Sequence, residues 1–383
     1  MHTIELISSL NMPTYSTNYL PEELVIKILS SLPVKYVLRC KLVCKLWLSI
    51  TLDPDFIRTH LKFSQQRPSV LAEAVYYDMQ GSSYEIVSMI SNSFEDSVNV
   101  PLPSSYSDPD HISSSCNGLV CLNDYNNSNI YIWNPSTRQG KELPRPKIQD
   151  HYMVLICIGF YFDSVSKDYK ILRLVFAYPR KNARQTRSSL RVEIYSTKSD
   201  SWSEIQVEDA DISSVNYGRN IGGVTSGPVI KGVLYMTSNK GLISFRLNKR
   251  VLKRVPLPSN FKINYETEVF EYEGCAALIL YHNNEESLSL WTLDDDDDNW
   301  RRGIWTQKLN LEGDIRMNWS SKYFGVGQLV AWKDHRTIIM YDYNKKEAKE
   351  HRLQLPSNWY IDSFFRHTES LISLEGFVNG GIW

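Results

Sequence analysis

One phrase recurs along this chain of 383 residues and restricts its architecture more than any other feature: a strand-like run ending in an aromatic residue, a polar turn, then a second run that often finishes at Leu-Pro. Trp133-Asn134-Pro135-Ser136-Thr137-Arg138 leads to Glu142-Leu143-Pro144, Tyr195-Ser196-Thr197-Lys198-Ser199-Asp200 leads to Trp202, and Phe245-Arg246-Leu247-Asn248 leads to Val255-Pro256. Trp291-Thr292-Leu293 and Tyr341-Asp342-Tyr343-Asn344-Lys345-Lys346 continue the series, the latter ending at Leu355-Pro356. The anchors Trp133, Tyr195, Phe245, Trp291 and Tyr341 stand 62, 50, 46 and 50 residues apart. From about His111 onward, short apolar runs such as Gly118 to Leu122, Ile130 to Trp133, Tyr169 to Val175 and Val192 to Tyr195 alternate with clusters of Asn, Asp, Ser, Gly and Pro, the pattern of short strands joined by turns.

A period near 50 is that of a kelch-type propeller blade. A four-stranded blade cannot bury both faces alone, so blades stack radially and closure protects their edges. Roughly 270 residues at this period give about five or six blades. The long first interval and the single Gly222-Gly223 doublet make the kelch signature degenerate, and a twisted β-sandwich array stays open beside an irregular propeller.

Upstream the periodicity is helical. Pro21 fits a first helical position, Glu22 and Glu23 suit the positive end of a helix dipole, and Leu24, Val25, Ile28, Leu29 and Leu32 follow i, i+3, i+4, i+7 spacing up to Pro33. A second helix starts after Pro33 and carries an apolar stripe of Cys40, Val43, Cys44, Trp47 and Leu48; Asp53 caps a third, with Pro54 at its first position. A unit of roughly 40 residues buries too little to stand alone and needs the rest of the chain or a partner. Leu24, Ile26 and Leu42 fall outside the narrowest stripe, as expected of helices that pack on one side and dock on another.

Leu20-Pro21, the Leu24/Ile28 pair, Leu32-Pro33, Leu38, Val43-Cys44 and Trp47 resemble an F-box in order and spacing. That resemblance implies docking onto a Skp-type adaptor, which joins an F-box protein to a cullin and so to ubiquitin transfer. Carried over residue by residue, Leu20, Pro21, Leu24, Ile28, Leu32, Pro33, Leu38, Val43 and Trp47 form the adaptor-facing and core set; sequence does not divide the two roles. Cys116-Asn117-Gly118-Leu119, Trp133 to Arg138, Gly159-Phe160 with Asp168-Tyr169-Lys170, and Val192 to Tyr195 with Asp200-Ser201-Trp202 further resemble the plant F-box-associated domain. Together the resemblances imply a substrate-recruiting, non-catalytic subunit of an SCF-type ubiquitin ligase; nothing in the residues separates the S-locus pollen-recognition subgroup from the others. The expected organisation is α+β and multidomain: a flexible N-terminus over 1–17, a three-helix F-box over 18–62, a connecting segment with the first strands over 63–110, and an all-β, kelch-like propeller over 111–383. Val70 to Tyr77 and Tyr84 to Ile90 are strand-like and either open the β domain or close it against the last strands.

A formal net charge of −1 gives no electrostatic case for a nucleic-acid partner. No run of 18 uncharged apolar residues is present to span a bilayer, and the N-terminus, with Glu5 and no basic region, lacks the form of a signal peptide. Cysteines at 40, 44, 116, 121, 157 and 275 lack metal-ligand spacing and read as free thiols of a reducing compartment, cytoplasm or nucleus. No cofactor is expected: Gly325-Val326-Gly327 lacks a third glycine, and Asp294 to Asp298 lacks the Gly and Glu of a calcium loop.

Two charged loops stand out as target-selecting candidates, the basic Arg180, Lys181, Arg184 and Arg187, and the acidic Asp294 to Asp298, because loops on a rigid β scaffold commonly carry binding residues. The rival classes are a ligase-independent interaction scaffold and a propeller hydrolase, which would need converging carboxylates in its channel.

Overall fold

The computed structural model describes residues 20–79, 83–103, 111–123, 129–148, 154–177, 189–210, 225–238, 241–258, 269–282, 287–294, 302–311, 322–325 and 327–375. Four helices come first: α1 (Glu22–Ser30), α2 (Val34–Cys40), α3 (Lys45–Leu52) and α4 (Pro54–Gln65). Where the apolar stripe reads as one helix after Pro33, the structure has two. The amides of Leu42 and Val43 reach back only three residues, to Arg39 O and Cys40 O at 3.1 Å each, and extended Cys44 restarts the helix as the N-cap of α3. Such three-residue bonds tighten a last turn and end it. Asp53 caps α4 as its sequence predicts, its carboxylate accepting from the amides of Asp55 at 2.8 Å and Phe56 at 3.1 Å.

The rest is a six-bladed propeller, which settles the sequence alternative between a propeller and a sandwich array. Blade 1 holds β1 (Ser69–Tyr77), β2 (Ser83–Ile90) and β3 (Ser97–Val100). Blade 2 holds β4 (His111–Cys116), β5 (Leu119–Asn123), β6 (Ile130–Asn134) and β7 (Gln139–Glu142); blade 3 holds β8 (Val154–Asp163), β9 (Asp168–Ala177), β10 (Ser189–Ser196) and β11 (Ser201–Ile205). After the short β12 (Asp209–Ala210), blade 4 runs through β13 (Thr225–Ile230), β14 (Val233–Ser238), β15 (Gly241–Arg246) and β16 (Val251–Val255). Blade 5 comprises β17 (Val269–Tyr272), β18 (Cys275–His282), β19 (Ser287–Asp294) and β20 (Ile304–Leu311), and blade 6 β21 (Lys322–Gly325), β22 (Gln328–Asp334), β23 (Thr337–Asp342) and β24 (Glu347–Arg352). The last strand, β25 (Tyr360–His367), pairs antiparallel with β1 and becomes the first strand of blade 1, so the strand-like pieces Val70 to Tyr77 and Tyr84 to Ile90 open the β domain and the first of them closes the ring. The inner strands β4, β8, β13, β17, β21 and β25 neighbour one another around a closed circle.

All five aromatic anchors lie on the third strand of a blade: Trp133 on β6, Tyr195 on β10, Phe245 on β15, Trp291 on β19 and Tyr341 on β23. The first three are fully buried. The 62-residue interval reflects β8 and β9, each ten residues long, together with the eleven residues that separate β9 from β10. After four of the five anchors, the polar turn ends on a non-glycine residue with positive φ, at Arg138 (60°), Asp200 (48°), Arg250 (53°) and Lys346 (56°), the left-handed step that starts the fourth strand. The Leu-Pro ending has its own role. The Trp202 indole donates to Pro144 O at 2.7 Å and the Trp305 indole donates to Pro256 O at 2.8 Å, so the fourth strand of one blade latches the exit of the blade before it.

Blade 3 holds a buried ion pair between β9 and β10. Glu193 meets Arg173 and also accepts from the amides of Lys147 at 3.0 Å and Ile148 at 3.1 Å, while Arg173 donates to Ile148 O at 2.9 Å. The pair therefore holds the chain between blades 2 and 3 to the middle of blade 3.

Candidate functional site

Strand direction alternates within each blade, so the turns between first and second strands, and between third and fourth, open at one end of the ring; the turns between second and third strands open at the other. The helices sit on the first end. Gln65 Nε2 donates to Asn117 Oδ1 in the β4–β5 turn at 3.3 Å, and Arg366 at the end of β25 donates to Gln65 O at 3.3 Å.

Each helix has two working sides. Val25, Leu29, Val34, Val37, Ile50, Phe56, Ile57 and Leu61 are buried and continue without a break into the core of blades 2 and 3 through Leu371, Ile372 and Leu374. On the opposite side Leu24 is 47% exposed, Ile28 48%, Val43 63% and Leu42 88%. Ten of the sixteen exposed large hydrophobic side chains among the described residues belong to residues 20–65. Lys27, Lys35, Arg39, Lys41 and Lys45 accompany them, against only Glu22 and Glu23 before Asp53, so this face is apolar with a positive surround.

The structure divides the carried-over set. Leu20, Pro21, Leu24, Ile28, Pro33 and Val43 are exposed; Leu32, Leu38 and Trp47 are half-buried and rest on the helical core. Exposed Tyr36, Leu46, Leu48 and Leu52 extend the face beyond that set. The available signal was an excess of apolar residues in these helices over what one stripe needs.

The joint beneath the helices is built from the chain's last described segment. Asn134, fully buried, uses both ends of its side chain: Oδ1 accepts from the amides of Ser136 at 3.0 Å and Thr137 at 3.3 Å, fixing the turn, and Nδ2 donates to Ser370 O at 3.0 Å and Ile372 O at 2.8 Å. Gln139 Oε1 accepts from the Leu374 amide at 3.1 Å. A methyl at Gly118, whose φ is +81°, would fall 2.2 Å from Ser370 Cβ and 2.4 Å from Thr368 O, so glycine lets this segment lie flat on the turn. Next to it Glu369 Oε2 accepts from the Val34 amide at the start of α2 at 3.0 Å. Burial raises the Glu369 carboxyl, and the Val34 N–H, Lys35 and the Ser69 hydroxyl pull it back. Within the helices, buried His60 bonds Leu32 O through Nε2 at 2.8 Å, and burial lowers its pKa.

The two charged loops part company. The basic residues Arg180, Lys181, Arg184 and Arg187 lie outside the described residues, but the strand ends that flank them, Ala177 and Ser189, stand at the end of the ring away from the helices. The acidic run leaves from Asp294, paired with Ile304 at the helix end. Asp295 to Asp298 lie outside the described residues. On the end away from the helices, Trp359, Tyr76 and Tyr84 stack in a row with successive ring centroids 6.0 Å apart, beside exposed Tyr77 and Met79. Among the described residues, no group of three His, Cys, Asp or Glu could hold a metal ion. No helix among them is long and apolar enough to cross a membrane.

Comparison with known families agrees with this geometry. Residues 73–371 match the F-box associated beta propeller domain and residues 17–64 an F-box-like domain. The chain therefore belongs to the F-box proteins with an associated β-propeller. An F-box protein of Arabidopsis thaliana is 28% identical over 335 residues, covering 81% of this chain and 77% of the relative. A second Arabidopsis F-box protein is 30% identical over 302 residues, 73% of this chain and 65% of the relative, and F-box protein CPR1 from the same plant is 25% identical over 311 residues, 76% of this chain and 73% of the relative. A solved structure of a 6-phosphogluconolactonase from Bacteroides fragilis aligns with 79% of this chain and 98% of its own at 9% identity and a TM-score of 0.37, too loosely to bear on activity.

Proposed function

We propose that this protein is the substrate-recognition subunit of an SCF-type ubiquitin ligase: the helices dock a Skp-type adaptor, and through it a cullin, while the propeller holds a target protein. The observation that carries this reading is the concentration of exposed apolar side chains on residues 20–65, on helices whose opposite side is already buried. A monomer gains nothing by exposing so many in one place. The positive surround favours a partner with an acidic rim.

The mechanism is positional. Holding a target beside the ubiquitin carrier raises the effective concentration of its lysines, with no chemistry supplied by this chain. Target capture falls to the end away from the helices, where the Trp359, Tyr76 and Tyr84 row and the basic loop's flanking strands lie. An adaptor of this kind places the protein in the cytoplasm or nucleus.

The test is a pulldown of purified adaptor by the full chain and by a Leu24→Asp, Ile28→Asp variant. A shortened chain lacking the helices is a poor comparison, because it would bare Leu371, Ile372 and Leu374. Capture by the intact chain that vanishes in the folded variant supports the reading. No capture by the folded intact chain overturns it and favours an adaptor-independent interaction scaffold.

A further inference from the structure

The segment 368–375 lies between two bodies and belongs by sequence to neither the helices nor a strand. On one side it is pinned to blade 2 by Asn134, Ser136 and Gln139; on the other it caps α2 through Glu369 and fills the helical core with Leu371, Ile372 and Leu374. The helices also meet the propeller through Gln65 with Asn117 and Arg366, and through the apolar core they share with blades 2 and 3; this segment adds the buried hydrogen bonds of the joint.

We propose that this segment is a rigid strut, and that Asn134 and Glu369 are positioning residues that fix the angle between the adaptor-docking helices and the end of the propeller that takes the target. The inference rests on the functional reading above and adds the reason the Trp-Asn-Pro-Ser-Thr-Arg turn is built as it is. An Asx turn alone needs only the acceptor Oδ1, which Asp supplies as well as Asn. Here the amide Nδ2 is also used, twice, on carbonyls 236 and 238 residues away. The chemistry that distinguishes Asn from Asp is thus directed wholly at the strut. With the angle fixed, a captured target presents its lysines in one zone, and targets are sorted by where their lysines lie as well as by affinity.

The strut also makes a specific substitution available. Asn134→Asp keeps the acceptor for the Ser136 and Thr137 amides and loses both donations, facing a carboxylate at the carbonyls of Ser370 and Ile372. Glu369→Ala removes the cap on α2 from the other side. Cys44 is an exposed thiol on the helices and Met79 is fully exposed at the far end, so spin labels at Cys44 and at Met79→Cys report the angle, in a chain whose half-buried Cys40, Cys116 and Cys275 are replaced by serine. Cys121 is buried, as is Cys157, whose thiol burial pushes up to about 12, so neither competes for label.

The expected result is a single narrow inter-label distance in the otherwise unaltered full chain and loss of that single distance in Asn134→Asp and in Glu369→Ala, with the far-ultraviolet signature of the propeller retained. Adaptor capture should be unchanged in both variants, since neither residue is on the docking face. A narrow distance that persists in the variants overturns the proposal, as does a broad distribution in the parent. Should Asn134→Asp fail to fold, Glu369→Ala decides the matter alone. The distance is read without adaptor, so an intact chain that captures none would sink the ligase reading and leave the strut to stand or fall separately.

Discussion

Ten exposed large hydrophobic side chains crowd onto residues 20–65, whereas the described parts of the six blades carry six in all, four of them in blade 1 at Tyr77, Met79, Tyr84 and Val98. The two regions also differ in how they manage edges. The propeller closes its ring with β25, adds the short parallel β12 to the outer strand of blade 4, and lines the outer strand of blade 6 with Glu347, Lys349, Glu350 and Arg352. Those are the devices by which sheets avoid sticking. The helices do the reverse and leave Leu24, Ile28, Leu42 and Val43 outside. The difference supports the proposed reading of the apolar face as a docking surface, since the same chain covers most such surface in the blades.

That contrast between a closed core and an open face can be broken by mutation. The largest effect expected belongs to acid and to the ring closure. His367 is fully buried at the end of β25, neither ring nitrogen has a partner among the described residues, and burial lowers its pKa from 6.5 to about 3. The unfolded chain therefore binds a proton near pH 6.5 that the folded chain refuses. Stability is fully present above pH 6.5 and is lost as pH falls from there toward 3. Replacement by an apolar side chain, His367→Leu, removes that slope, about 1.4 kcal/mol per pH unit and about 5 kcal/mol over the whole span; unfolding free energies from urea titrations at pH 6.5 and 4.5 should fall in the parent by about 2–3 kcal/mol more than in the variant. Equal slopes would show that His367 is hydrated in solution.

Next comes the ion pair. Glu193→Ala leaves the Arg173 guanidinium buried without its carboxylate and the amides of Lys147 and Ile148 without their acceptor, and should cost about 3–5 kcal/mol in a denaturant titration. A loss below about 1 kcal/mol would mean that the chain between blades 2 and 3 is not held by this pair.

How much of this was legible depended on whether a signal was local. The blade period could be read because the third strand of five blades carries a large aromatic residue, and the polar turn that follows has its own residue requirement. Asp53 could be read because an N-cap acts within three residues. What was hidden is non-local. Asn134 reads as a turn residue, and only the fold brings Ser370 and Ile372 to its Nδ2. His367 and Glu369 carry no pattern at all, and β25 is recognisable only once β1 needs a partner. The division of Leu24 from Val25 and Ile28 from Leu29 was hidden for a different reason: all four satisfy the same helical period, and which half turns inward is set by Leu371, Ile372 and blade 2.

A smaller effect sharpens the comparison inside the helices. Asp53→Ala removes two amide acceptors at the start of α4 and should cost about 1 kcal/mol. Because α4 packs on the other helices through Phe56, Ile57 and Leu61, the loss should be global, seen as one shifted transition. A separate early transition of the helices would show that the shared core does not couple them to the blades.

The smallest stability effect is the most telling, because it compares neighbours on one helix. Leu29 is 1% exposed and Leu24 47%, and they differ by little else. Leu29→Ala opens a cavity in the core shared by helices and propeller and should cost about 2–5 kcal/mol, while Leu24→Ala should stay within about 0.5 kcal/mol of the parent. Adaptor capture should follow the opposite order: Leu24→Ala weakens it at once, since its side chain lies on the open face, and Leu29→Ala weakens it only in proportion to the unfolded fraction. If Leu24→Ala destabilised the chain as much as Leu29→Ala, the outward leucines would belong to the fold, and the helices would have one working side in place of two.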